Sequence, residues 1–207
     1  MDMNGYLSEI RFAVTVSLDA VWRERDRLQE LQAEIAALTP AVAHDYARAE
    51  AIAMNAEDAD DVMLATGVYW DTYFGSDKDL HHGSAEADEV VKVVSLHAFS
   101  CSAQSGSVLQ YAKQGISLVH AGPSGCPEGR RIGSQSLRNV IWQGRNQAIH
   151  WEEGKLNNAV QTCFQALAAE VDPRFSGFLS HSLAFEVIDL LGWRDYADFE
   201  RDMLLLA

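Results

Sequence analysis

The sequence predicts an all-α fold, an antiparallel helical bundle with a long N-terminal helix. Three observations predict it. Leu7, Val14, Val21, Leu28 and Ile35 recur at intervals of seven, and apolar residues keep helical spacing in most later stretches. No stretch alternates apolar and polar residues at a period of two, and no Asn-Gly type dipeptide joins two such stretches. The clearest interruption, AGPSGCPEGRRIGS at 121–134, holds four glycines and two prolines and reads as a loop. A single helical domain over residues 1–207 is expected.

Taken in order, the first helix is predicted over about residues 5–38. Ile10, Leu31 and Leu38 add a second row, which Ser17 and Glu24 break, and RERDRLQELQAE favours helix by propensity. Such a helix is long enough for an antiparallel pair or a dimer seam. Thr39-Pro40 predicts a restart, with Thr39 as N-cap and Pro40 at the first helical position of an Ala-rich helix reaching Met54. A third helix is expected over 59–74, stopped by Gly75. The stretch 75–84 reads as a loop. Ser84 is expected to cap the next helix, with Glu86, Asp88 and Glu89 suited to its N-terminal dipole and Val90, Val91, Val94, Leu96 and Phe99 along it. SCSAQSGS at 100–107 lacks large apolar side chains, which predicts either a kink or a close approach by a neighbour. Helical pattern resumes at Val108 and continues to His120. After the 121–134 loop, helices are predicted over 136–153 (ending at Gly154), from Asn157 or Asn158 to Val171, and over about 181–191 and 196–206, with Asp172-Pro173 and Gly192 as breaks.

The formal net charge is −14, with 30 acidic against 16 basic residues, which excludes a duplex-DNA-coating protein that works by neutralising phosphates. The charge is uneven. From Glu50 to Glu89 eleven acidic residues face one lysine, whereas from Glu128 to Lys155 four arginines and a lysine face three glutamates. No 18-residue apolar run is present, so no membrane span is expected. The N-terminal MDMNGYLSEIRF is acidic and unlike a secretory signal. Three widely spaced cysteines, Cys101, Cys126 and Cys163, form no disulfide framework, and a reducing cytoplasm is the expected compartment.

The helix over 136–153 has two faces on a helical wheel. Leu137, Val140, Ile141, Gly144, Ala148 and Trp151 form a core stripe, with Gly144 and Ala148 permitting a close neighbour. Trp142, Arg145, Asn146, Ile149, His150 and Glu153 form a second stripe that mixes large apolar groups with a guanidinium, an amide and an imidazole. Exposed apolar groups of this size want a cover. That cover is either another helix of the same bundle or, across a twofold axis, a second copy of the chain.

Arg145-Asn146-x-x-x-His150, on a helix late in an all-helical chain, resembles the R-N-x₃-H form of the Rx₄₋₆H motif of HEPN domains. The resemblance rests on about 20 residues around the motif. It implies an all-helical, commonly dimeric protein and a metal-independent endoribonuclease, of the kind found in toxin–antitoxin, abortive-infection and antiviral systems. It places Arg145, Asn146 and His150 in a catalytic site near a homodimer interface, with RNA as substrate and an antitoxin protein as a possible partner. HEPN toxins silenced by nucleotidyltransferase antitoxins carry a tyrosine two places after the histidine. Here that place is Glu152, so silencing by nucleotidylation is not supported.

The chemistry suits these residue types. RNA cleavage by its own 2′-OH needs a base, an acid and positive charge on the transition state. Histidine titrates near neutrality and serves as base or acid. An arginine fork binds phosphate oxygens. Asn146 is expected to fix the His150 tautomer or hold the phosphate. Arg130, Arg131, Arg138 and Lys155 are expected to track the RNA backbone, and Trp142 to stack on a base. In the alternative, Arg145 pairs with Glu152, Glu153 or an acid on another helix, His150 serves only as a cap or a buried neutral group, and the chain is a non-catalytic module binding a protein or nucleotide. No metal and no cofactor is expected. His97 with Cys101 and His81-His82 are the only metal-ligand-like pairs considered, and neither completes a site. Cys126 lacks a partner base. Arg174 and His181 repeat a looser Arg–His spacing but follow Asp172-Pro173 and span a glycine.

Overall fold

In a computed structural model the chain is helical almost throughout. The structure describes residues 1–81 and 84–207, with the side chains of Glu34 and of residues 80–81 and 84–91 left aside. The expected cap at Ser84, the acidic first turns at Glu86, Asp88 and Glu89, the apolar Val90 and Val91, and the His81-His82 pair lie outside the described side chains. Eight α-helices are found among the described residues: α1 (Met3–Met54), α2 (Ala59–Phe74), α3 (Ser76–His81), α4 (Ser84–His120), α5 (Leu137–His150), α6 (Asn158–Glu170), α7 (Ala184–Leu191) and α8 (Tyr196–Leu204). The all-α helical bundle predicted from the periodicity is what the chain forms.

Where sequence analysis expects one domain, the chain divides into two compact units. One comprises residues 1–24 and 99–207, the other residues 25–98. The first holds nearly all of the large buried side chains, including Leu7, Val14, Leu18, Ile116, Leu137, Ile141, Phe164, Phe175, Trp193 and Phe199. The second buries mostly small groups such as Ala49, Ala65 and Thr72, and leaves Met63, Trp70 and Phe74 exposed.

Four expectations are corrected and one open alternative is decided. First, α1 does not restart at Thr39-Pro40: it runs through both. Thr39 does not cap; its Oγ1 bonds back to the Ile35 carbonyl at 2.8 Å. Pro40 removes the N–H that the Ala36 carbonyl would accept, but Ala36 is exposed and water can take its place. Second, the seven-residue row is right, but the interleaved contact comes from Leu18, one place beyond Ser17, where the spacing from Val14 is four. Third, of the kink and the close approach left open at 100–107, the structure shows the second, and α4 continues unbroken. Close approach is the outcome, as Ser105 is fully buried with its hydroxyl on the Cys101 carbonyl at 2.7 Å, and a Cβ at Gly106 would lie 3.9 Å from that of Ala148. Fourth, the 121–134 loop carries an unpredicted hairpin. Strand β1 (Arg131–Ile132) pairs antiparallel with β2 (Gln135–Ser136), in register Arg131 to Ser136 and Ile132 to Gln135. Gly133 makes the turn at φ 58°. The stretch 75–84, read as a loop, is also helical over α3.

The hairpin delivers Ser136 to the start of α5, where its hydroxyl accepts from the Asn139 N–H and caps the helix. Leu137, Val140, Ile141 and Gly144 are buried as predicted. At Gly144 an added Cβ would stand 3.1 Å from Val187, so α7 packs directly on the α5 backbone. Two polar residues are buried beside this stripe. Gln147 is fully buried and satisfied three times: Nε2 donates to the carbonyls of Phe178 (2.9 Å) and His181 (2.7 Å), and Oε1 accepts from the Leu183 N–H (2.9 Å). One amide thus ties α5 to the connection before α7. Gln147→Leu keeps the volume but strands three backbone groups in the core. It is expected to lower unfolding free energy by about 3 kcal/mol, measured by urea denaturation; a loss under about 1 kcal/mol contradicts the assignment.

Candidate functional site

The second stripe of α5 lies at the surface of the larger unit, partly buried at Trp142, Arg145, Asn146 and His150 and exposed at Ile149 and Glu153. Its polar groups are positioned by a ladder of amides along the flank of the helix. Asn139 donates from Nδ2 to Gln135 Oε1 (2.8 Å), Gln143 from Nε2 to Asn139 Oδ1 (3.2 Å), and Asn146 from Nδ2 to Gln143 Oε1 (3.4 Å). Spacings of four and three keep successive rungs on one side of the helix. Because each rung donates toward the N-terminus, Asn146 is left with its carbonyl oxygen pointing outward. That oxygen accepts from Arg145 Nη1 at 3.5 Å and from Lys113 Nζ of α4 at 3.4 Å.

Arg145 is held by neutral groups. Its Nε donates to Gln110 Oε1 of α4 at 2.6 Å, and no carboxylate lies within ion-pair reach among the described residues. The other arginines of residues 99–207 are all ion-paired: Arg130 to Asp202, Arg131 and Arg138 to Glu128, Arg174 to Asp172 and Asp189, Arg194 to Asp189, and Arg201 to Asp198. Among the described residues Arg145 is thus the one arginine of residues 99–207 held without a counter-charge. Lys113 shares this surrounding. Its ammonium sits 4.5 Å from the centre of the Trp142 ring, and burial, followed by repulsion from Arg145, lowers its pKa.

His150 closes the stripe at the end of α5. Its Nδ1 is 2.7 Å from Glu153 Oε1. A carboxylate only accepts, so Nδ1 donates, and in the neutral imidazole the lone pair is on Nε2. Glu153 therefore sets the tautomer, the role expected of Asn146, and it is His150 rather than Arg145 that Glu153 engages. Asn146 and His150 border one cleft of about 210 Å³ with Glu153, Lys155 and Asn157, floored by Leu156 and Val160. Asn146 is thus the link between the cation pair on one side and the imidazole cleft on the other.

The expected RNA-tracking arginines stand elsewhere. At 1.5 Å rise per residue, Arg138 is about 10 Å along the axis from Arg145 and about 18 Å from His150. Arg138 donates to the Cys126 carbonyl and Arg131 reaches Glu128 at 3.7 Å. Arg130, half-exposed, is anchored on a buried carboxylate: it holds Asp202 with Nε and Nη2, both at 2.8 Å, and the Leu191 carbonyl at 2.8 Å, while Trp193 Nε1 completes Asp202 at 2.9 Å. One face of Trp142 is covered by Lys113. Burial pushes the Cys163 thiol up to about 12 and raises that of Cys126, which removes thiolate character from both. No group of three or more metal-ligand residues is found among the described residues. No helix among them is long and apolar enough to cross a membrane.

Sequence reasoning missed Gln110 and Lys113, which lie on another helix 35 and 33 positions from their partners. It also missed Gln143, which apolar counting passes over. Compared with known proteins, the chain matches no family model, no curated protein and no solved structure.

Two cations around one neutral oxygen are an electrostatic conflict that a negative charge would relieve. Asn146→Asp is expected to raise unfolding free energy by about 1 kcal/mol at neutral pH, seen as an upward shift in thermal midpoint that 1 M NaCl diminishes. A fall in stability contradicts the uncompensated-charge reading.

Proposed function

We propose that the chain is a metal-independent endoribonuclease of HEPN type, in which Arg145, Asn146 and His150 act on an RNA phosphodiester, with two copies of the chain meeting across the second stripe of α5. The observation that carries this reading is that Arg145, without a carboxylate partner among the described residues, stands on the same stripe as an imidazole that Glu153 orients. The Arg-Asn-x₃-His spacing, which resembles the HEPN motif, fits the same roles.

In this reading Nε2 of His150 takes the proton of the 2′-OH as it attacks the adjacent phosphorus. Negative charge then builds on the non-bridging oxygens, where the Arg145 guanidinium stabilises it. The 5′-oxygen leaves with a proton, supplied by the imidazolium of a second His150 in a homodimer or by water, and a 2′,3′-cyclic phosphate remains. Asn146, bonded to Arg145 on one side and bordering the His150 cleft on the other, joins the two groups. Arg130, Arg131 and Arg138 have no part in the reaction. A toxin or antiphage role, with an antitoxin as partner, follows from the family resemblance alone.

A second reading, a non-catalytic module that binds a protein, draws on the smaller unit. There α1 and α2 enclose an apolar groove of about 610 Å³ lined by Tyr46, Ala49, Ala53, Val62, Ala65 and Tyr69, within the most acidic stretch of the chain.

The nuclease reading predicts cleavage of single-stranded RNA in excess EDTA, leaving 2′,3′-cyclic phosphate ends, by wild type. His150→Ala and Arg145→Ala each lower the rate by about 100-fold or more, and Glu153→Gln by about 10-fold. Wild-type inactivity on diverse RNAs, or equal rates in wild type and His150→Ala, removes the catalytic reading and leaves the binding module.

A further inference from the structure

We infer that Lys113 and Arg145 together form a two-cation clamp for a phosphate-type oxyanion, bridging α4 and α5, in which Lys113 is a ligand-binding residue that the Arg–His motif does not contain. The inference rests on the nuclease reading only for the source of the anion, a phosphodiester of RNA.

Three observations support the clamp. Both cations donate to one oxygen, Asn146 Oδ1, at 3.4 and 3.5 Å, so they are brought together at a fixed point rather than splayed into solvent. Every hydrogen-bond acceptor they use is an amide oxygen, from Gln110 or Asn146, and neither has an ion-pair partner among the described residues. Amide oxygens orient a cation without neutralising it, so the pair keeps its charge, and donors remain on Nζ and on the guanidinium for a ligand. The Lys113 ammonium lies against Trp142, which restricts it to one side and lowers the entropy lost on binding.

The geometry divides the work. A guanidinium offers a planar fork for two oxygens of a tetrahedral anion, and an ammonium is a point charge for a third. The Asn146 carbonyl between them repels the same anion. A ligand therefore binds the outward-facing donors and draws Lys113 away from the amide, or it enters only as the Asn146 side chain turns. A structural role for Lys113, merely filling space over Trp142, requires no such anion response.

The test is titration with inorganic phosphate and, separately, with a deoxydinucleoside monophosphate, which has a phosphodiester but no 2′-OH and is not cleaved. The readout is the Arg145 Nε–Hε resonance in the full-length protein. The clamp predicts a saturable shift with both anions, tighter for the dinucleotide if the natural source is a nucleic acid chain and equal if it is free phosphate. Lys113→Met, which keeps the apolar stem on Trp142, weakens both by tenfold or more, Lys113→Arg restores them to within threefold, and Lys78→Met, an exposed lysine of the smaller unit, leaves them unchanged. No saturable shift in wild type, or equal affinity in wild type and Lys113→Met, overturns the clamp. RNA cleavage that persists undiminished in Lys113→Met likewise overturns it while leaving the His150 reading standing. Anion binding that depends on Lys113 in a protein that cleaves no RNA upholds the clamp and removes the nuclease.

Discussion

The direction of one amide decides the character of this surface. Asn146 can present either its NH₂ or its oxygen to the Lys113 and Arg145 side chains. With the NH₂ outward, two cations and two amide hydrogens would face each other. The ladder from Gln135 through Asn139 and Gln143 takes the NH₂ as a donor at each step and so leaves the oxygen outward. Each rung is a modest hydrogen bond, but the sequence of donors is fixed from the hairpin strand onward, so the orientation at the far end is inherited from the start of the helix. A cation pair without carboxylates is tolerable in an acidic protein only where such neutral acceptors hold it.

That ladder works because α5 itself cannot turn. Gln147 pins it to three backbone groups of the 178–183 connection, Val187 presses on Gly144, and Ala148 meets Gly106. Rotation about the helix axis would break all of these at once. Packing on one side thus fixes the polar stripe on the other, and His150, one turn beyond Asn146, receives its own orientation from Glu153 in the short turn that follows the helix.

Much of this was legible in the sequence, for stated reasons. Periodicity finds helices, and it placed Leu137, Val140, Ile141 and Gly144 inward. Capping chemistry narrowed the start of α6 to Asn157 or Asn158, of which Asn157 caps, and glycine found the ends at Gly154 and Gly192, both at positive φ. The errors share a cause. Local signals cannot weigh tertiary context: Pro40 reads as a break, yet its loss of one N–H falls where the Ala36 carbonyl is open to solvent. Small residues at 100–107 left a kink and a close approach both open locally, and only the α5 neighbour decides for the second. Polar residues in the core are invisible to an apolar count, so Gln143 and Gln147 went unseen, as did the tie of the half-exposed Arg130 to buried Asp202 and Trp193. Lys113 could not have been found locally, because nothing within its own helix distinguishes it. The boundaries of the two units fall inside α1 and α4, where no loop residues mark them.

The claim that the α5 stripe is where this protein meets its substrate is tested most directly by amide chemical-shift mapping with a single-stranded 2′-O-methyl RNA, which binds but offers no nucleophile. The account predicts perturbations concentrated at residues 110–113 and 142–157, lost on Arg145→Ala. Perturbations concentrated instead at residues 128–138 or in the apolar groove of residues 46–69, or none at saturating RNA, would contradict it.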